Sequence, residues 1–222
     1  MQPTPQPSAP RPGNARQRLC AWMMSQDSHT LERWIAPRKQ ALLGDLHGDV
    51  LELGPGTGPN LQFYAADVRW LGVEPNPFMH PYLLETLHRL GLPAGQFRID
   101  QGDPAGVRLP TGDASLDAVT GTLVLCSVPH PEDSLQEILR VLKPGGKFVF
   151  IEHVAAQPGT RLRAFQNIIQ PLWTLAGDGC HPNRETWQII RRAGFARVEI
   201  EHTHYPGGGL VAPLICGTAV KD

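Results

Sequence analysis

The sequence predicts a doubly wound α/β fold. Its core is a mostly parallel, seven-stranded sheet with an antiparallel edge strand, preceded by a helical N-terminal segment. Three observations predict it. From Asp49 onward, short apolar runs alternate with amphipathic stretches of helical length. Glycines cluster directly after the first of those runs, where a strand turns into the next segment. The last two apolar runs follow each other through "PGGG" with no helix between them, which reads as a hairpin and supplies the antiparallel edge.

Taken in order, "MQPTPQPSAPRPG" alternates proline with small or polar residues and has almost nothing to bury, so residues 1–14 are expected to be a disordered tail. Residues 15–222 are expected to form a single domain, with 15–46 a helical lead-in or lid. Leu19, Trp22 and Met23 fall on one helical stripe and Leu31, Trp34 and Ile35 on another, before Leu42, Leu43 and Leu46. "DVLELG" is then the first strand, "LQFYAA" a helical piece and "VRWLGVEPN" the second strand. "HPYLLETLHRLGL" is an amphipathic helix closed by Gly91, "QFRIDQGD" a third strand, and "LDAVTGTLVLCSV" a long fourth one. "PEDSLQEILRVLKPGG" is a helix ending in a proline-glycine turn, and "KFVFIEHV" the fifth strand. A helix around Ala164 to Trp173 and another over "RETWQIIRRAGF" precede the late strands "ARVEIEHTHY" and "LVAPLICGTAV".

Charge and composition exclude several classes. Twenty basic against 21 acidic residues give no broad electrostatic handle on nucleic acid or an acidic membrane. No apolar run is long enough for a transmembrane helix, and no secretory pattern opens the chain, so stable membrane insertion is not expected. Cys20, Cys126, Cys180 and Cys216 are far apart with no CxxC pair, which reads as reduced thiols in a cytoplasmic protein.

The chemistry begins at "LELGPGTG". Gly54, Gly56 and Gly58 let the chain turn sharply and let a ligand approach its backbone. Their GxGxG spacing is not the dinucleotide pattern, and no Lys-Ser/Thr pair follows to hold phosphates. Such a loop, with Thr57 inside it, suits an adenosine ligand without phosphate, such as S-adenosylmethionine. Glu74 ends the second strand about twenty residues on, where a carboxylate can take both hydroxyls of a ribose. Pro75 follows it in the cofactor set. Asp103, after the third strand, is a candidate for the adenine amino group, and Thr122, on the fourth, for the methionine side.

Together "VLELGPGTG", "GVEPN", "GD" before "LPTGDASLDAV", and "EILRVLKPGGKFVFIEH" resemble the Rossmann-like class I S-adenosylmethionine-dependent methyltransferases, in the branch that includes quinone C-methyltransferases. Further on, "TLVLCSV", "EHVAA", "DGC" followed by "RETW", and "GTAVK" are similar to the methyltransferase-like seven group of animal alkyl thiol S-methyltransferases. Those enzymes carry an apolar membrane anchor where this chain has its proline-rich polar tail. The resemblance implies in-line displacement of a sulfonium methyl by a small apolar acceptor, with a thiol sulfur favoured. A C- or N-methyltransferase for a quinone, lipid amine or other small metabolite is the alternative, and an inactive cofactor-binding scaffold a further one.

A thiolate attacking a sulfonium annihilates charge, so a dry pocket and good alignment favour the reaction. Candidates to assist it lie at the carboxyl ends of the strands. His153, with Glu152 beside it, and Asp178 stand first, ahead of Cys126, His130 and His181. His202 and His204 share a strand face but are too few for a metal, and Cys180 lacks neighbours at ligand spacing, so no metal is expected. Within "AGDGCHPNRETW", Asn183 is expected to cap the following helix, leaving Asp178 to His181 as a substrate-side wall.

Overall fold

The computed structural model describes residues 15–26, 29–93, 95–102 and 108–222, so the tail of residues 1–14 and the candidate Asp103 lie outside the described residues. Seven strands form one sheet: β1 (Asp49–Leu53), β2 (Arg69–Val73), β3 (Phe97–Asp100), β4 (Leu116–Thr122), β5 (Leu142–His153), β6 (Arg197–His204) and β7 (Pro213–Val220). Their order is β3-β2-β1-β4-β5-β7-β6. The first five are parallel, and β7 runs antiparallel to both β5 and β6. The C-terminal hairpin therefore reverses one strand, β7, beside an outermost β6. Six helices accompany the sheet among the described residues: α1 (Ala15–Ser25), α2 (His29–Leu43), α3 (His80–Arg89), α4 (Pro131–Val141), α5 (Arg161–Ala176) and α6 (Thr186–Arg192).

Neighbouring residues of one strand enter different cores, because successive side chains point to opposite faces. Leu51, Val119 and Phe148 join Leu135, Ile138 and Ile190 of α4 and α6 on one face. Val50, Ala118 and Val149 join Leu43 of α2 and Leu83 of α3 on the other. Burial on both faces explains why these strands read as continuous apolar runs.

Inside the second core the Trp70 indole packs against Gly72, two residues on along β2, and its N–H donates to Glu52 at 2.9 Å. Glu52 also accepts from the Tyr64 hydroxyl (3.0 Å) and the Asn60 amide (2.8 Å), and burial pushes its carboxyl above the ordinary range. A Cβ on Gly72 would meet the indole at 2.1 Å. Gly72→Ala is therefore expected to cost about 1–3 kcal/mol through overpacking. Urea denaturation measures this; an unchanged midpoint would mean that the indole can move aside.

Three local expectations are corrected, and the α1 stripe, which helical spacing leaves open between core and lid surface, is surface. "LQFYAA" forms only a 3₁₀ turn, Leu61–Phe63, because the Tyr64 hydroxyl is drawn inward to Glu52 and to Thr120 (2.8 Å). The fourth strand stops at Thr122: Leu123 has φ +60°, and Ser127 N–H turns back to the Val124 carbonyl. Leu19, Trp22 and Met23 of α1 are 55%, 56% and 55% exposed, so that stripe is surface, whereas Ile35, Leu43 and Leu46 are buried. Asn183 does not cap α6; its side chain donates to Asn167 at 3.1 Å, and Glu185 occupies the cap position. Among the described residues no helix is long and apolar enough to cross a membrane.

Candidate active site

The carboxyl ends of β1, β2, β4 and β5 face the same side of the sheet, and the candidate residues gather there. After β1 the loop carries φ values of +53°, +56° and +83° at Gly54, Gly56 and Gly58. A Cβ on Gly54 would sit 2.9 Å from Val124, and one on Gly58 2.8 Å from both Leu61 and Leu83. Those two glycines are required by the protein's own close contacts. At Gly56 a Cβ would meet only the Met24 methyl of α1, at 3.3 Å. Gly56 is therefore the glycine left for a ligand to approach.

Glu74, 6% exposed, accepts the Gly56 N–H on Oε2 (2.9 Å) and the Asn76 N–H on Oε1 (2.8 Å). The acid thus ties the glycine loop to the turn after β2. Burial raises its pKa to about 7 against the pull of those two N–H donors, and the nearby Asp178 carboxylate adds to the rise. A glycine loop with a strand-end acid beside it has the chemistry that an adenosine ligand without phosphate calls for. Thr57 points its carbonyl to the Thr86 hydroxyl (2.8 Å), and Pro75 is exposed. Thr122 has its hydroxyl oxygen engaged by the Asn60 amide at 3.0 Å, which joins it to the buried network around Glu52.

Helix α1 lies across this mouth. Asn76 donates to the Gln17 carbonyl (3.0 Å), Arg16 donates to the Thr174 carbonyl (3.2 Å), and Arg16 lies 3.6 Å from Asp178. Cys20 is close enough to Asp178 and Glu74 that burial, then those acids, push its thiol to about 12. Asp178 is itself in the left-handed region (φ +49°), with its side chain 48% exposed at the edge of the mouth.

On the acceptor side Glu152 is fully buried and works as a turn anchor. Its Oε1 accepts the N–H groups of Val124 (3.0 Å) and Leu125 (2.8 Å), and its Oε2 that of Cys126 (3.0 Å). Burial still holds its pKa up at about 7. Arg184 donates to the Leu125 and Val128 carbonyls from the other side, a contact that a sequence gives no sign of. The turn so fixed brings Cys126 to Cys180 and His153, which ends β5. Cys180 Sγ lies 4.0 Å from His153 Nδ1. The expectation that Cys180 lacks donor neighbours is thus corrected: they come from elements distant in sequence. A Cys126 hydrogen bond and the His153 imidazole push the Cys180 thiol down, while the same pairing and burial push Cys126 up. His181 donates its backbone N–H to the Cys126 carbonyl (2.8 Å), which lays the Asp178–His181 turn against the end of β4. His130 is exposed at the start of α4, and His202 packs edge-on against Trp187, both apart from this group.

The family described as "Methyltransferase domain" matches residues 51–150. The thiol S-methyltransferase TMT1B of Rattus norvegicus is 41% identical over 174 residues, covering 78% of this chain and 70% of that protein. The human thiol S-methyltransferase TMT1A is 39% identical over the same shares. Among solved structures the [4+2]-cyclase SpnF superposes with a TM-score of 0.66 at 19% identity, covering 84% of this chain and 79% of that one, which speaks to the fold alone. Glycine cradle, strand-end acid and relatives of this similarity converge: the chain belongs to the TMT1-type thiol S-methyltransferase family of class I S-adenosylmethionine-dependent methyltransferases.

Proposed function

We propose that this chain transfers the methyl group of S-adenosylmethionine to the sulfur of a small apolar thiol. The observation that carries the reading is the similarity to thiol S-methyltransferases over 70% of their length. The sulfur-and-imidazole wall at the ends of β4 and β5 supports it. Residues 15–222 act as one methyltransferase domain, with 15–46 its lid, a role that the α1 contacts to Asn76 and Asp178 support. When bound, S-adenosylmethionine supplies a methyl group on a cationic sulfonium. Gly54, Gly56, Thr57 and Gly58 cradle it, and Glu74 orients its ribose. Pro75, Asp103 and Thr122 complete the cofactor set.

On the acceptor side, Asp178 takes up the proton of the acceptor thiol, whose ordinary pKa of about 8.5 leaves it mostly protonated. Asp178 is half-exposed and passes the proton outward, whereas His153 holds the inner end of the pocket. The exposed apolar side chains of α1 (Leu19, Trp22) and α5 (Phe165, Ile168) suit the approach of an apolar acceptor. Four free cysteines suit a reducing, cytoplasmic setting.

Mass spectrometry after incubation with S-adenosylmethionine and a panel of alkyl thiols, phenols, quinols and amines tests the reading. S-methyl products from the alkyl thiols are expected. A methylated quinol or amine beside unmodified thiols would overturn the choice of acceptor.

A further inference from the structure

Cys126, His153 and Cys180 come from three separate places: the turn after β4, the end of β5 and the turn between α5 and α6. Their two sulfurs and one imidazole nitrogen all lie within 4.8 Å of one another. A tetrahedral zinc ion, with bonds of about 2.3 Å to sulfur and about 2.0–2.1 Å to nitrogen, sets such donors about 3.6–3.8 Å apart. The observed group reaches that arrangement by drawing in about 1 Å or less. Both thiols are buried, at 1% and 6% exposure, and each backbone is tied down: Cys126 by Glu152 and His181, Cys180 by its N–H to the Gly177 carbonyl. His153 is fixed by the pairing of β5 with β7 opposite Leu214.

His153 turns its Nδ1 toward the Cys180 sulfur, so the imidazole already presents a nitrogen to the group. No fourth protein donor completes the set among the described residues. Glu152 spends both oxygens on backbone N–H groups, and the Nδ1 of His181 faces the Arg184 guanidinium. Three protein ligands of the Cys₂His type with one open position are the pattern of a zinc that works on a ligand, whereas structural zinc is closed by four. Thiolate donors select zinc over magnesium or calcium.

We propose that Cys126, His153 and Cys180 bind a zinc ion whose open position takes the acceptor thiolate; the second half of this statement rests on the thiol reading above. On binding, Cys126 and Cys180 each release a proton to solvent as a sulfur–zinc bond forms. The acceptor releases its own proton to solvent by way of Asp178 as its sulfur takes the fourth position, and no electrons change hands. The metal thereby holds the acceptor as a thiolate at neutral pH.

The test uses the full chain, reduced with a phosphine and stripped of metal by a chelator. One equivalent of zinc is expected to remain bound through gel filtration, measured by elemental analysis. Cobalt(II) is expected to give the intense visible bands of a tetrahedral site with thiolate ligands, and ethanethiol to shift them. Cys180→Ser and His153→Asn are expected to weaken zinc binding by at least about 100-fold while circular dichroism stays unchanged. Zinc binding equal in wild type and variants, or a pale six-coordinate cobalt spectrum from the wild type, would overturn the site. A tetrahedral cobalt spectrum unmoved by ethanethiol would overturn the acceptor position. The methylation assay is separate: a responsive cobalt site in a chain that methylates no thiol supports the metal site and removes the S-methylation reading.

Discussion

Glu74→Ala is expected to weaken S-adenosylmethionine binding by on the order of 100-fold. Hydrogen bonds to an ionised group are each worth about 1.5–3 kcal/mol, and a ribose diol makes two of them to one carboxylate. Even the lower figure for both bonds exceeds the 2.7 kcal/mol or so of a 100-fold change. The loss has a second source, because alanine strands the Gly56 and Asn76 N–H groups that Glu74 now accepts. Calorimetry measures the affinity, and a variant that binds normally would reduce Glu74 to a clamp between two loops.

The same residue sets a pH dependence. Its folded pKa of about 7 lies above the ordinary carboxyl value of 4.5, since burial disfavours the charged form. Between those two values the folded chain keeps a proton that the unfolded chain has released. Stability of the ligand-free protein from this source is thus full below about pH 4.5 and declines as pH rises to about 7. The cofactor works the other way, because ribose hydroxyls donate to the ionised acid. Affinity should rise as pH passes about 7, and binding at pH 6 should expel a proton that Glu74→Gln does not. Calorimetry in two buffers of different ionisation enthalpy detects that proton; equal proton release from both proteins would sink the assignment.

Glu152→Ala is expected to be the most destabilising of the changes considered, by about 3–5 kcal/mol. It leaves the N–H groups of Val124, Leu125 and Cys126 buried or half-buried without an acceptor, at about 1–3 kcal/mol for each buried group. For a chain of this size that lowers Tm by roughly 10 °C. Thermal melts followed by circular dichroism give the answer. A shift of a degree or two would show that water or a neighbouring carbonyl replaces the carboxylate. Glu152→Gln retains one acceptor oxygen, so it should fall between alanine and wild type.

Glu152 also shows where the sequence stops being legible. In the sequence it is merely a neighbour of His153, and "TLVLCSV" is an apolar run like any buried strand. The turn that replaces strand there depends on a carboxylate 27 residues further along Leu125's chain and on a leucine with positive φ, neither of which periodicity records. The placement of the glycine loop beside Glu74 was legible because the pattern is local: a strand, a tight turn and an acid at the end of the next strand. The grouping of Cys126, His153 and Cys180 was not, since it needs both the adjacency of β4 and β5 in the sheet and the docking of the α5–α6 turn on Cys126. The surface position of α1 was hidden for a related reason. A helical stripe of apolar residues looks the same whether or not a second surface covers it. Asn183 failed as a cap because a tertiary partner, Asn167, competes for its side chain.

The placement of β7 has a consequence for how the chain is made. Among the described residues β6 pairs only with β7, and β7 follows β6 in sequence yet lies between β6 and β5. During synthesis β6 therefore emerges with no strand to join, while β5 waits with one edge open. Both are completed in a single late event when β7 inserts, a non-local pairing of the slow kind. The wall that carries His153 is the last part of the sheet to set, and a chain stalled before residue 213 keeps the cofactor loop without the strand that braces the acceptor side.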